Sequence, residues 1–183
     1  SAPLALGGRF RNLAPRIRPA QTNDLPALSA LAKRTWADAF ADGVCPDDTQ
    51  AELEGGRSEA YFVQALREKT ILVAEENGGL VGYVEFGEVA IPEVDVRPGD
   101  QSLNRLYVET ALQGRGLGRT LLEAALHHPR LAHATRIFLT VWDENEGAVR
   151  LYERFGFQTV GTTRFTIGAE EVEDLVMLLD KTR

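Results

Sequence analysis

Three glycines alternate in Gln113-Gly114-Arg115-Gly116-Leu117-Gly118, directly after the strand-like run Leu106-Tyr107-Val108. A helical stripe of Leu117, Leu121, Leu122 and Ala125 follows at once. Without side chains in the way, backbone N–H groups there can approach an anion, and the helix N-terminus adds its positive end. Pyrophosphate is the natural guest. A tight strand-to-helix turn with nothing bound is the competing reading of the motif taken alone. A nucleotide P-loop would need lysine and then Ser/Thr after its glycine, but Gly118 is followed by Arg119-Thr120. A dinucleotide fingerprint would need its third glycine where Arg119 stands. Arg115 and Arg119 can pair with phosphate, although an exposed helical arginine is more often simply solvated.

A second constellation follows in Trp142-Asp143-Glu144-Asn145 and Ala148 to Phe157. Asn145 and Tyr152 are seven residues apart, two helical turns, so both project from one side. Asn145 reads equally as a helix N-cap and as a ligand contact. Tyr152 reads as a core aromatic beside Leu151 and Phe155, or as a phenol able to give up a proton. Trp36 and Phe40, four apart, are core first and substrate wall second. His127, His128 and His133 crowd a helix end, where they complement the dipole more readily than they bind metal; no metal site is expected.

The elements that must position these residues are legible from periodicity. Arg16 to Pro19 is a short strand, after which Thr22 or Asn23 caps a helix with Leu25, Leu28, Leu31, Ala32, Trp36 and Phe40 on one face. Asp47 or Asp48 starts a second helix ended by Gly55-Gly56, and Ser58 starts a third through Tyr61, Phe62, Ala65 and Leu66. The period then changes to two. Thr70 to Glu75 and Leu80 to Glu88 form strands about the turn Asn77-Gly78-Gly79. Ala90 to Gln101 is a loop, and Ser102 to Val108 a strand. The glycine-loop helix ends at Pro129, Arg136 to Trp142 is a strand, and Asn145 to Phe155 is a helix closed by Gly156. Phe157 to Thr166 and Val172 to Leu179 are strands about Gly168. This order predicts an α/β sandwich, one sheet with helices on its faces. Residues 1–15 read as a flexible N-terminal tail and 16–183 as a single domain.

Composition sets the outer limits. The 183 residues, 44% hydrophobic and 26% charged, suit one soluble domain. No apolar run reaches the roughly 18 residues of a membrane span. The single cysteine, Cys45, excludes an internal disulfide framework and points to a reducing, cytoplasmic compartment. A net charge of −7 disfavours nucleic acid. Charge is segregated: Asp38, Asp42, Asp47, Asp48, Glu52, Glu54 and Glu59 face only Arg57. Arg105, Arg115, Arg119, Arg130 and Arg136 face only Glu109 and Glu123. Two opposite fields suggest two ligands of opposite charge.

Leu106-Tyr107-Val108 with the glycine loop, followed at the right distance by Asn145 and Leu151-Tyr152 to Gly156-Phe157, resembles the GNAT superfamily of acetyl-coenzyme A-dependent N-acetyltransferases. The resemblance covers about Arg16 to Lys181. Within it, Trp36-Ala37-Asp38-Ala39-Phe40 and Gly161 to Gly168 look like the PaiA polyamine acetyltransferase subgroup. The resemblance implies a mixed, mostly antiparallel sheet of about seven strands, and direct attack of a primary amine on the acetyl thioester. It implies that Leu106, Tyr107 and Val108, with Gln113 to Arg119, hold acetyl-CoA through the backbone. Asn145 would meet the pantetheine arm, the Val108 N–H would serve the oxyanion, and Tyr152 would be the general acid.

The general base stays open. Related sequences often carry glutamate where Ser102 and Asn104 stand, so Glu85, Glu109 or a water chain are the substitutes. The missing glutamates also support a second reading, a coenzyme A-binding sensor without chemistry. A third keeps catalysis but on protein N-termini or lysines. A small-molecule amine acceptor, no membrane or nucleic-acid partner, and a homodimer as an option complete the expectations.

Overall fold

The computed structural model describes residues 14–40 and 51–183. Residues 1–13 of the expected tail, Cys45, and the Asp47 or Asp48 helix start lie outside the described residues. Asn77 and Gly78 take positive φ (51° and 80°) in the turn joining β2 (Thr70–Glu76) to β3 (Gly79–Gly87), the conformation a two-residue hairpin demands. β1 (Arg16–Pro19) adds antiparallel to β2, and β4 (Asp100–Val108) antiparallel to β3. β5 (Arg136–Trp142), β6 (Gln158–Ile167) and β7 (Glu170–Asp180) complete a seven-stranded sheet, order β1-β2-β3-β4-β5-β7-β6. Only β4 and β5 run parallel. The expected mixed, mostly antiparallel sheet is present.

Strand alternation sorts side chains to two faces. One buries Leu72, Val84, Leu103, Leu139 and Met177 under α3 (Leu117–His127), α4 (Pro129–Ala132) and α5 (Glu146–Arg154). The other buries Ile71, Val73 and Tyr83 under α1 (Leu25–Phe40) and α2 (Glu59–Glu68). Ser58 caps α2 as expected, its hydroxyl accepting from the Tyr61 N–H. One expected boundary differs. The turn before α1 is capped from Gln21, whose N–H donates to the Asp24 carboxylate (2.8 Å), with Arg18 gripping the same carboxylate. Pro129 ends α3 as expected, leaving the residue before it, His128, extended. It also starts α4 at a position where its missing N–H costs nothing.

The feature that shapes the functional region is how little β4 and β5 pair. They meet only at Asp100/Arg136, Gln101/Ile137 and Ser102/Phe138. Beyond that, β4 follows β3 and β5 follows β7. A bulge drives the parting: Phe86 pairs Leu103 and Glu85 pairs Arg105, so Asn104 is an extra residue that bends β4. Arg136 pins the closed end, donating to both oxygens of the nearly buried Asp100 carboxylate at 2.9 and 2.6 Å. The 88–99 loop crosses the outer half-sheet, where Thr163 donates to Glu93 (2.6 Å).

The Arg136 guanidinium and the Arg97 N–H hold the Asp100 carboxyl below the ordinary carboxylate range. A depressed folded pKa gives stability that is full above the unfolded carboxyl pKa and lost as pH falls through the folded one. Asp100→Asn should therefore destabilise the domain by about 3 kcal/mol at neutral pH, with the deficit shrinking below about pH 4. Denaturant titrations at pH 7 and pH 3 check this; an equal deficit at both would show that the ion pair is not the source.

Candidate active site

Where β4 and β5 part, an open cleft of about 930 Å³ runs through the sheet. Leu103 to Val108 form one wall and Thr140, Val141 and Trp142 the other, with Trp36, Phe40, Asn145 and Tyr152 also lining it. The backbone of β4 presents polar groups to this space. The Glu109 N–H donates to Val81 of β3 (2.9 Å), so by strand alternation the Val108 N–H points away from β3 and into the cleft. The Val108 carbonyl faces the same way and accepts a long bond from the Gln113 amide (3.5 Å).

The glycine loop joins this wall to α3 through a single turn at Thr110–Leu112. Gly114 and Gly116 both hold φ of +81°, with open space where a Cβ would stand. Gly116 is the N-cap of α3. The first backbone bond of the helix runs from the Thr120 N–H to the Gly116 carbonyl (3.0 Å), leaving the N–H groups of Leu117, Gly118 and Arg119 ahead of it. Gly118 lies under Val108 and Leu151, a Cβ there making ordinary contact at 3.8 and 3.9 Å. The arginines contribute less than their clustering promised. Arg115 pairs with Glu76 (3.4 Å) and Arg119 with Glu123 (3.0 Å), both largely exposed. Arg105, Arg130 and Arg136 are engaged elsewhere, with Gly56, Gln101 and Asp100. The expected basic field at the loop is therefore mostly structural pairing.

Tyr152 is buried at 6% exposure, its ring edge-on to Phe157 at 5.9 Å. Burial first, and Tyr107 second, push its phenol well above the usual tyrosine range, so it is protonated at neutral pH. Asn145 caps α5, its carbonyl oxygen accepting from the Ala148 N–H at 3.2 Å. Trp36 and Phe40 stack at 5.2 Å, Trp36 almost wholly buried, core and cleft wall at once.

The substitute bases do not reach the cleft. Glu85 is completely buried on the α2 face, where Oε1 accepts from Tyr61 (2.7 Å) and Lys69 (2.9 Å). Arg105 lies 4.0 Å from its other oxygen. Strand parity turns the candidate base Glu85 under α2, where one carboxylate oxygen is held by Tyr61 and Lys69 and the other is buried without a hydrogen bond. Glu109 is held by Arg34 at 3.1 and 3.0 Å. Ser102 donates to the Phe138 carbonyl (3.2 Å). Asn104 does line the cleft, its Oδ1 buried without a hydrogen-bond partner. The sequence reading missed Asp174, a half-buried cleft carboxylate that burial and nearby Asp143 push up to about 6. Glu170, Glu171 and Glu173 share its strand, so nothing in the sequence sets Asp174 apart.

The sequence model of the acetyltransferase (GNAT) family matches residues 30–157. The chain belongs to that family. An uncharacterized N-acetyltransferase of Mycobacterium tuberculosis is 31% identical over 159 residues, 85% of this chain and 96% of the relative. The spermine/spermidine N(1)-acetyltransferase of Bacillus subtilis is 37% identical over 89 residues, 48% of this chain and 59% of the relative. The chain therefore aligns with little more than half of that enzyme. In fold, PaiA N-acetyltransferase from Thermoplasma acidophilum, solved with coenzyme A, superposes with TM-score 0.74 at 20% identity, covering 92% of this chain and 99% of that one. A Salmonella typhimurium acetyltransferase homologue solved with acetyl-CoA gives 0.66 at 24% identity, covering 92% and 95%.

As a GNAT N-acetyltransferase, the protein takes its acetyl group from acetyl-CoA. The loop suits the pyrophosphate of that co-substrate: two left-handed glycines, open space above them and three helix N–H groups ahead of the first internal bond. Gly116→Val would place a branched side chain at φ +81°, a strained backbone, and directly over those groups. We expect a variant that is folded but destabilised by about 1–3 kcal/mol, with acetyl-CoA binding lost by calorimetric titration. Wild-type affinity in the folded variant would remove the loop from phosphate binding.

Proposed function

We propose that the protein acetylates small polycationic amines by direct attack, with Val108 and Tyr152 as its catalytic groups. The observation that carries the reading is that both open to the one cleft created by the parting of β4 and β5. The bound co-substrate supplies an activated acetyl thioester. The Val108 N–H, fixed by the strand and needing no reorganisation, is placed to receive negative charge developing on the acetyl oxygen. The Tyr152 phenol, kept protonated by burial, gives its proton to the departing sulfur. Leu106, Tyr107 and Gln113 to Arg119 hold the coenzyme, and Asn145 orients its arm while capping α5. With Glu85 and Glu109 engaged elsewhere, solvent at the cleft mouth takes the proton the amine loses.

The charge lining the cleft supports a cationic acceptor. Among the described residues Asp38, Glu144 and Asp174 line it without an ion pair. The cleft arginines are occupied: Arg57 by Glu52, Arg164 by Glu171 and Glu173, and Arg105 over the Tyr61 ring at 4.1 Å. The partial match to the Bacillus subtilis spermine/spermidine N(1)-acetyltransferase agrees with a polyamine.

Tyr152→Phe preserves the ring packing and removes the hydroxyl, so kcat should fall about 10²-fold or more at unchanged acetyl-CoA affinity. An unchanged kcat with chemistry rate-limiting would return Tyr152 to the core. For the acceptor, kcat/KM for a triamine should exceed that for a neutral-tailed monoamine of similar length. The advantage should shrink as salt shortens the screening length below roughly 8 Å. A salt-insensitive or absent preference, read by thiol release, would reject the polycation.

A further inference from the structure

Two of the large exposed hydrophobic residues are aromatic, Trp142 (40% exposed) and Phe165 (36%), and both line the cleft. They sit on either side of one carboxylate. Asp174 on β7 pairs in register with Trp142 on β5 and Thr163 on β6, and Phe165 is diagonal to it, two residues along β6. Cross-strand partners share a face, so the three side chains emerge together. That face is the α1 and α2 side of the sheet, opposite the glycine loop and α3. Their backbone positions are two strand spacings apart and two residues offset, about 12 Å, with the strand that carries the carboxylate between them.

Strand-borne aromatics left this exposed lose burial for no packing return. A half-buried carboxylate with no hydrogen bond or ion pair loses hydration in the same way. The groups facing Asp174 are Asp143 from the β5–α5 turn, Thr163 with the Glu93 it bonds from the 88–99 loop, and, at the cleft rim, Glu144. None carries positive charge. Arg164, the nearest cation in sequence on β6, is turned to Glu171 and Glu173. One ligand chemistry satisfies all of this: an alkylammonium, whose charge answers the carboxylate and whose methylenes lie on the ring faces.

We propose that Trp142, Asp174 and Phe165 form a receptor for an ammonium group of the acceptor, separate from the nitrogen that is acetylated. The site rests on the polyamine reading above and deepens it, because it binds the end of the acceptor remote from Val108. A diamine thereby reaches across the cleft, while a monoamine of equal length has nothing to offer Asp174.

The probe is 1,4-diaminobutane, with butylamine as comparator, added to the full chain. The indole N–H resonance of Trp142, assigned with Trp142→Phe, should shift saturably with the diamine and with butylamine, each of which carries an ammonium, and much less with uncharged 1-butanol. Asp174→Asn, nearly isosteric, should weaken that binding and raise the diamine KM by about 10-fold or more. The rise in KM should be larger for the diamine than for butylamine, and acetyl-CoA affinity should stay near wild type. Phe165→Leu should give a smaller rise in the same direction. Wild-type diamine binding and KM in folded Asp174→Asn would overturn the receptor while leaving polyamine acetylation intact. An Asp174-dependent indole shift in a protein that acetylates no amine would keep the receptor and remove the acceptor reading.

Discussion

Everything functional in this domain depends on a parallel strand pair that stops after three residues. A longer β4–β5 ladder would satisfy the backbone of both strands and leave a continuous sheet with no opening. Instead the Arg136–Asp100 ion pair locks the closed end, and the extra residue at Asn104 bends β4 away from β5. The cost is a row of backbone groups without strand partners. Those groups, the Val108 N–H among them, become the lining of the cleft. Each half-sheet is then stabilised from its outer side, β4 by β3 and β5 by β7, so the opening does not collapse.

The sheet also separates the chemistries. On one face the glycine loop, α3 and Tyr152 gather the groups suited to an anionic coenzyme and its leaving sulfur. On the other, α1, α2 and the outer half-sheet gather acids and aromatics suited to a cation. The buried cluster of Glu85, Lys69, Tyr61 and Arg105 belongs to this second face and ties α2 to β3 and β4. A fully buried carboxylate must be hydrogen-bonded and charge-compensated, and Lys69 and Tyr61 do both at one oxygen of Glu85.

Much of this was legible before any coordinates. The Asn77-Gly78 hairpin, the Ser58 cap, the Gly156 helix stop and the glycine loop each rest on a local conformational demand that few residue types meet. The one misplaced boundary has a local reason as well: Asp24 forms a capping box with Gln21, ahead of Thr22 and Asn23. Residues whose meaning depends on distant partners were read less well. Arg105, Arg130 and Arg136 read from the sequence as part of one basic field, whereas the fold gives each its own acceptor. Glu85 sits under α2 rather than on the cleft wall.

The sequence by itself determined the order of elements, the glycine turn and the family, because φ restrictions, side-chain periodicity and short motifs act within a few residues. Only the tertiary structure decided which polar groups share the cleft. Strand parity, the bulges and a three-residue register set which side of the sheet each side chain occupies. None of these can be read without knowing which strands are neighbours. Asp174 shows the difference: as one letter in a strand it carries no information, yet placed between Trp142 and Thr163 on an open face it is a cleft carboxylate without a cation.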